Sequence, residues 1–423
     1  MAVLQKKLFD FISNPETELK YKQSPKDFSR TSKLSFQAVV GSILHLFKES
    51  VEYNLHVVLP SLCAQHVTGS AFSQARYKVK SLFFNDLLTL LKNSYQCLDK
   101  KLWKGYLLLA GDGSTLNLPA SDDISEKFGI HATNNLGINR YLARIFFLYD
   151  VLNDYVVESK LSVMKQGEKT LLEQCLPEQS EGDEMIILDR GFGNFCMIKE
   201  LTKRSFQYCI RLGVDNSNFA KRAMEDERSD YVTNWIPSPK EKENCRKNGL
   251  DSDPILVRVT KIRLSSTEME LLITSLHDQR TYTKDDLKEL YHLRWGVEEG
   301  FKNLKPKMKI EHFGCKKTEG VYQEFYAHIF HINMISLLGI ACQKGIKKKI
   351  SKRKINYKFN WKNAYRFLRA NVIKLLFQNN PKKLVDDLIS KITNSLIAVK
   401  PNRQFARDTR NLNRRNRISQ FNK

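Results

Sequence analysis

Three carboxylates, and the cationic and aromatic groups around the last of them, carry the clearest capacity for chemistry in this chain. Asp112 closes the apolar run Tyr106-Leu-Leu-Leu-Ala-Gly111, and Asp189 closes Glu184-Met-Ile-Ile-Leu. Each run has the length and composition of a buried strand, and an acid ending a strand of a mixed sheet points into the cleft where ligands bind. Two such carboxylates can share a metal ion. Alone each is weak, because Asp-Gly is a common turn and Asp-Arg a common surface pair. The third element is Tyr291-His-Leu-Arg294-Trp-Gly-Val-Glu298-Glu-Gly-Phe-Lys302-Asn-Leu-Lys305. Tyr291, Arg294, Glu298 and Lys305 follow at steps of three, four and seven, which is one face of a helix. The apolar row Leu290, Leu293, Val297, Phe301 and Leu304 lies one residue behind, so the polar row borders a cleft. A surface helix with an Arg294 to Glu298 pair has the same spacing. A tyrosine, an arginine, an acid and a lysine in one row fit better as a metal ligand among phosphate-binding groups.

The elements that must position these groups can be read around them. Leu142 to Tyr149 and Tyr155 to Val163 flank Asn153-Asp154, which predicts a hairpin of two long strands. A helix at about Lys169 to Cys175, the strand ending at Asp189, a helix near Phe195 to Lys203 and a strand at Phe206 to Leu212 follow. That order predicts an α/β domain whose mixed sheet has an antiparallel part. Residues 213–280 read as a β-rich insertion, with strands at Ile255 to Leu264 and Met269 to Leu276. One helix is expected from about Lys284 past Lys302, ending before Pro306. We therefore divide the chain into an N-terminal helical domain (1–100), a catalytic domain (101–320) and a helical, basic C-terminal region (321–423).

In the first hundred residues, Ser35 to Val58 carries a helical apolar period. Gly69 and an N-capping Ser70 precede a short basic helix from Ala71 to Lys80. This resembles the second helix of a helix-turn-helix, with Gln74, Arg76 and Lys78 available to DNA; an ordinary bundle helix fits as well. The formal charge of +23 is concentrated at the flanks. From Lys344 to Lys423 there are 23 lysines and arginines against Asp386, Asp387 and Asp408, whereas residues 101–343 are near neutral. Basic flanks around a carboxylate-bearing centre suit a protein that grips a polyanion and does chemistry on it. The eight cysteines show no CxxC and no paired short spacing, so neither a disulfide framework nor a zinc ribbon is indicated and a reduced, cytoplasmic setting is expected. Charge interrupts the N-terminus before a signal-type apolar region forms. Val321 to Cys342 is apolar but contains Glu324, His328, His331 and Asn333, so it reads as a buried helix and not a membrane span. His328 and His331 lack an acidic or thiolate partner and read as core histidines. The chain after Pro401 is expected to be frayed.

Asp112-Gly-Ser-Thr, Asp189-Arg-Gly-Phe and the Tyr-x2-Arg-x3-Glu-x6-Lys row resemble the DDE transposases of insertion-sequence family four. The Ala-Phe-Ser-Gln-Ala-Arg segment and the Arg-Trp-x-Val-Glu context resemble the same family, so the similarity covers most of the chain. The resemblance implies a ribonuclease H-like catalytic core with a β insertion between Asp189 and Glu298. It implies that Asp112, Asp189 and Glu298 hold two Mg²⁺ or Mn²⁺ ions, about 3.5 to 4 Å apart in such sites. It further implies cleavage at the terminal inverted repeats of a bacterial element, attack of the freed 3′-hydroxyl on target DNA, a hairpin intermediate in some members, and a homodimer on paired ends. Tyr291, Arg294, Lys302 and Lys305 would then contact phosphates. Hairpin chemistry needs a base moved out of the stack, and Trp235, alone among tryptophans in the insertion, is the candidate to receive it; Trp295 reads as core. Two other readings stay open: a repurposed DNA-binding protein, and a nuclease of the same fold that cuts without joining.

Overall fold

The computed structural model describes residues 1–399 except 31, 47–48, 63, 134–136, 265–267, 352–354 and 379–380. The segment after Pro401, expected to fray, lies outside the described residues.

The N-terminal part is helical: α1 (Ala2–Ser13), α2 (Pro15–Tyr21), α3 (Phe36–Leu44), α4 (Val51–Val58), α5 (Gly69–Arg76) and α6 (Leu82–Gln96). The helical period of Ser35 to Val58 is divided between two helices. Ser35 caps α3 and Ser50 caps α4 through hydroxyls that accept from backbone N–H groups, so each helix has its own start signal. Thr68, not Ser70, caps α5. The connection from α4 to α5 spans residues 59–68, longer than the three- or four-residue turn of a helix-turn-helix.

Eight strands then form one sheet: β1 (Leu107–Asn117), β2 (Leu142–Asp150), β3 (Tyr155–Val163), β4 (Glu184–Leu188), β5 (Gln207–Leu212), β6 (Asp230–Trp235), β7 (Ile255–Arg263) and β8 (Met269–Thr274), in the order β3-β2-β1-β4-β5-β8-β7-β6. β3, β2 and β1 are antiparallel, whereas β4 and β5 run parallel to β1. The β2–β3 hairpin turns through Asp154, which adopts a positive φ of 54° that a short polar side chain tolerates. The strands of residues 213–280 do not form a separate sheet. β8 pairs with β5 and the main sheet continues through β7 to β6.

Helices cover both faces. Between β-strands lie α7 (Asp122–Phe128), α8 (Glu168–Cys175), α9 (Phe195–Lys203), α10 (Asn218–Glu225) and α11 (Pro239–Lys247). After β8 come α12 (Lys284–Leu293), α13 (Gly296–Lys302), α14 (Thr318–Ile350), α15 (Trp361–Phe377) and α16 (Lys382–Asn394). The helix expected from Lys284 is interrupted at Arg294 and Trp295, and the backbone continues past Lys302 through a widened turn, Asn303–Lys307, that contains Pro306. One apolar cluster joins α1, α3, α6, one face of β1 to β3, α13, α14, α15 and α16, so the flanks at both ends of the chain share a core with the sheet. A second core packs α8 and α9 on the opposite face. α14 is long and apolar enough to cross a membrane, but 78% of its apolar window is buried in the protein, as expected of a core helix. Its Asn333 amide exchanges two 2.9 Å hydrogen bonds with the backbone of Val156, closing part of the edge strand β3. His328 and His331 are buried and bond to the carbonyls of Glu324 and Leu44. The described cysteines are free thiols.

Candidate active site

The sheet register brings the two aspartates together. β1 and β4 pair from Leu107↔Glu184 to Ala110↔Ile187, and there the pairing stops. Two residues further along each strand direction stand Asp112 and Asp189, so the same register sets them opposite each other on one face of the sheet. Asp112 does not end its strand, however. β1 runs on to Asn117 because β2 continues to pair with it, Asp112 opposite Phe147. The Asp-Gly pair read as a turn is therefore strand, and the cleft is the edge of β1 left bare where β4 ends.

α13 lies over that same face. Phe301 stacks on Phe147 with centroids 4.6 Å apart, and a Cβ on Gly300 would come within 3.0 Å of the Tyr149 ring. That close approach fixes the helix directly above β1 and β2. Glu298, on its first turn, accepts from Arg294 Nη2 at 3.2 Å. Lys305 donates to Ser114 Oγ at 2.7 Å and to the Thr115 carbonyl, tying the end of the α13 segment to the bare edge. The break at Arg294 and Trp295 leaves the row of the sequence reading intact in part: Arg294, Glu298 and Lys305 gather at the edge, Lys302 points away to Glu299 at 2.5 Å, and Tyr291 is 5% exposed beneath Arg294, its ring 6.0 Å from the guanidinium.

The electrostatics are those of a partly compensated acidic site. Burial pushes the Asp112 carboxyl up to about 7; the Gly113 N–H (2.8 Å) and Arg294 oppose the rise, and the negative charges of Asp189 and Glu168 add to it. Asp189 accepts from the Gly191 N–H at 2.9 Å. Arg294 is 7% exposed, and its Nε is buried with no hydrogen-bond partner, a donor suited to an anion. Beside Asp189 opens a cavity of about 610 Å³ lined by Lys169, Arg190, Gly191, Gly193, Asn194 and Arg211 among others. Sequence reasoning missed Glu168, Arg144 and Arg211, which no motif marks; only the fold brings them to the edge. Hard carboxylate oxygens on neighbouring strands, one raised chiefly by burial, fit a divalent cation such as Mg²⁺. Among the described residues no three acids converge on one point, and Glu298 is paired with Arg294.

Several expected contacts fall elsewhere. Trp235 is 0% exposed, stacked on Phe219 at 4.4 Å in the second core, and so cannot receive a base. Trp295, expected in the core, is 45% exposed with the Arg294 guanidinium 5.3 Å from its ring, because the break between α12 and α13 turns it outward. Arg76 is 3% exposed and binds Glu324 (3.0 Å), Gln323 (3.2 Å) and the Gly314 carbonyl (3.3 Å), holding α5 to α14 instead of facing DNA. Gln74 and Lys78 are exposed.

A sheet whose aspartates meet at a bare strand edge beneath a helix carrying an arginine-held glutamate defines a class, and comparison with known proteins agrees. The model of the transposase DDE domain family matches residues 103–334, more than half of the chain, and the chain belongs to that family. It is 22% identical over 353 residues to the transposase InsG of insertion sequence element IS4 from Escherichia coli, with 77% of each chain covered. Among solved structures it is similar to the piggyBac transposase synaptic complex with hairpin DNA, at 15% identity and a TM-score of 0.44, covering 92% of this chain and 85% of that one.

Proposed function

We propose that this protein is the transposase of a bacterial insertion sequence, binding the element's terminal inverted repeats and carrying out metal-dependent cleavage and strand transfer at Asp112, Asp189 and Glu298. The observation that carries the reading is the shared register of Asp112 and Asp189 at the bare edge of β1, on the face where α13 holds Glu298. The strand set β3-β2-β1-β4-β5 supports a ribonuclease H-like core. Asp112, Asp189 and Glu298 would hold two Mg²⁺ or Mn²⁺ ions, which when bound stabilise the attacking and leaving oxygens of an in-line displacement.

The remaining work falls to the chain's own groups. Arg294, with an unsatisfied buried N–H, would bind a phosphate beside the scissile bond and in doing so release Glu298 toward the aspartates. Arg190, Arg211 and Lys169 around the adjoining cavity would hold flanking phosphates. The outward Trp295 is the aromatic in place to stack on an unpaired base. Gln74, Lys78 and the basic flanks would grip the duplex, and two copies would act on paired ends in the bacterial cytoplasm. The test is a gel assay with Mg²⁺ and labelled DNA carrying the element's ends. Joined products support the transposase; nicked ends without joining support a nuclease; bound but intact DNA supports a binding protein and overturns the catalytic reading.

A further inference from the structure

Gly113 has no conformational reason to be glycine. Its φ lies outside the positive range, yet a Cβ there would fall 2.5 Å from Glu168 Oε1 and 2.6 Å from Glu168 Cδ. The space a side chain would fill is taken by a carboxylate. Glu168 is the first residue of α8, and the buried Leu171, Leu172 and Cys175 fix that helix against the sheet face opposite α13. β1 therefore meets Glu298 from one face and Glu168 from the other, at the stretch where it has lost β4 as a neighbour.

We propose that Glu168 is a fourth carboxylate of this edge, a positioning residue that helps hold a divalent cation at Asp112 and Asp189, and that Gly113 is small in order to admit it. The inference rests on the metal-dependent reading above. Arg144 is the group's existing partner, but the contact is a single one of 3.4 Å, and the Arg144 Nε is buried without a hydrogen-bond partner. A bidentate pair would satisfy both groups; this one leaves the carboxylate free to take a stronger cation. Hard oxygen ligands on both sides of one strand suit Mg²⁺ or Mn²⁺.

The test is Mn²⁺ binding to the full-length, DNA-free protein, measured by calorimetry and by the loss of the free-ion electron paramagnetic resonance signal, with thermal unfolding alongside. Glu168→Gln should bind Mn²⁺ at least tenfold more weakly than wild type while unfolding at a similar temperature. Arg144→Gln should bind it as tightly or more tightly, since a competing cation is gone; an ion pair with only a structural role would move both variants the same way. Gly113→Ala should weaken binding as Glu168→Gln does, and the double variant should lose no more. Asp112→Asn separates the two readings. Lost binding in Asp112→Asn with wild-type binding in Glu168→Gln overturns this inference alone. Wild-type binding in both overturns the metal site itself.

Discussion

Asp112 concentrates the electrostatic tension of the site. Its folded pKa, raised to about 7 chiefly by burial, lies above the ordinary value of 3.8, so between those values the folded protein keeps a proton that the unfolded chain has released. The metal-free protein should lose stability as pH rises through that window, by up to about 4 kcal/mol for a shift of this size. Asp112→Asn should flatten the dependence and unfold several degrees higher at pH 8, which thermal melts at pH 5 and pH 8 would check; a parallel pH dependence in both proteins would remove Asp112 as its source. Metal should compete with the same proton, so Mn²⁺ affinity is expected to fall as pH drops below about 7. Arg76 shows how far residue type alone can mislead. A basic side chain on a short helix reads as a DNA contact, but this one spends its charge on Glu324 in the interior. Arg76→Met should cost about 3 to 5 kcal/mol by leaving a buried acid unpaired. Lys78→Ala should leave stability unchanged and weaken DNA binding, as binding isotherms with melts would report.

The elements that place these residues were largely legible, and the reasons for the misses are physical. Phe301→Ala removes the stacking partner of Phe147 that seats α13, and should cost about 3 to 5 kcal/mol and slow cleavage by releasing Glu298 from its position; wild-type cleavage by a correctly folded variant would detach the helix seat from the chemistry. Period and turn chemistry sufficed for the β2–β3 hairpin, β4, α8, α9 and α14, whose apolar patterns are local. They failed where tertiary pairing decides. Asp112-Gly113 looks like a turn, yet β2 holds it extended. The insertion strands look like a separate unit, yet β8 finds its partner in β5. A continuous helical period runs through Arg294 and Trp295, and the break that exposes Trp295 leaves no mark in it. Glu168 was unreadable for a different reason: its meaning depends on Gly113, 55 positions earlier in the chain, and only the sheet brings them together.

At the scale of the whole molecule, the described helices of both flanks share one core with the sheet, so any DNA gripped by basic groups on those helices would be held by the packed unit that carries the acids. The end of α14 presents Lys347, Lys348 and Lys349. If these face phosphates, replacing all three with glutamine should lower DNA affinity uniformly across sequences and reduce the salt slope by about 3, a result salt titrations would read directly. An unchanged slope would move the duplex away from that end of the helix. The central claim is that Asp112, Asp189 and Glu298 act as one unit on a phosphodiester. Single-turnover cleavage of end DNA, under conditions in which every variant is fully DNA-bound, tests it most directly. Asp112→Asn, Asp189→Asn and Glu298→Gln should each slow cleavage by about a thousandfold or more, and the Asp112→Asn/Glu298→Gln double variant should be no slower than the worse single one. Wild-type cleavage by any of the three, or losses that multiply in the double variant, would contradict the account.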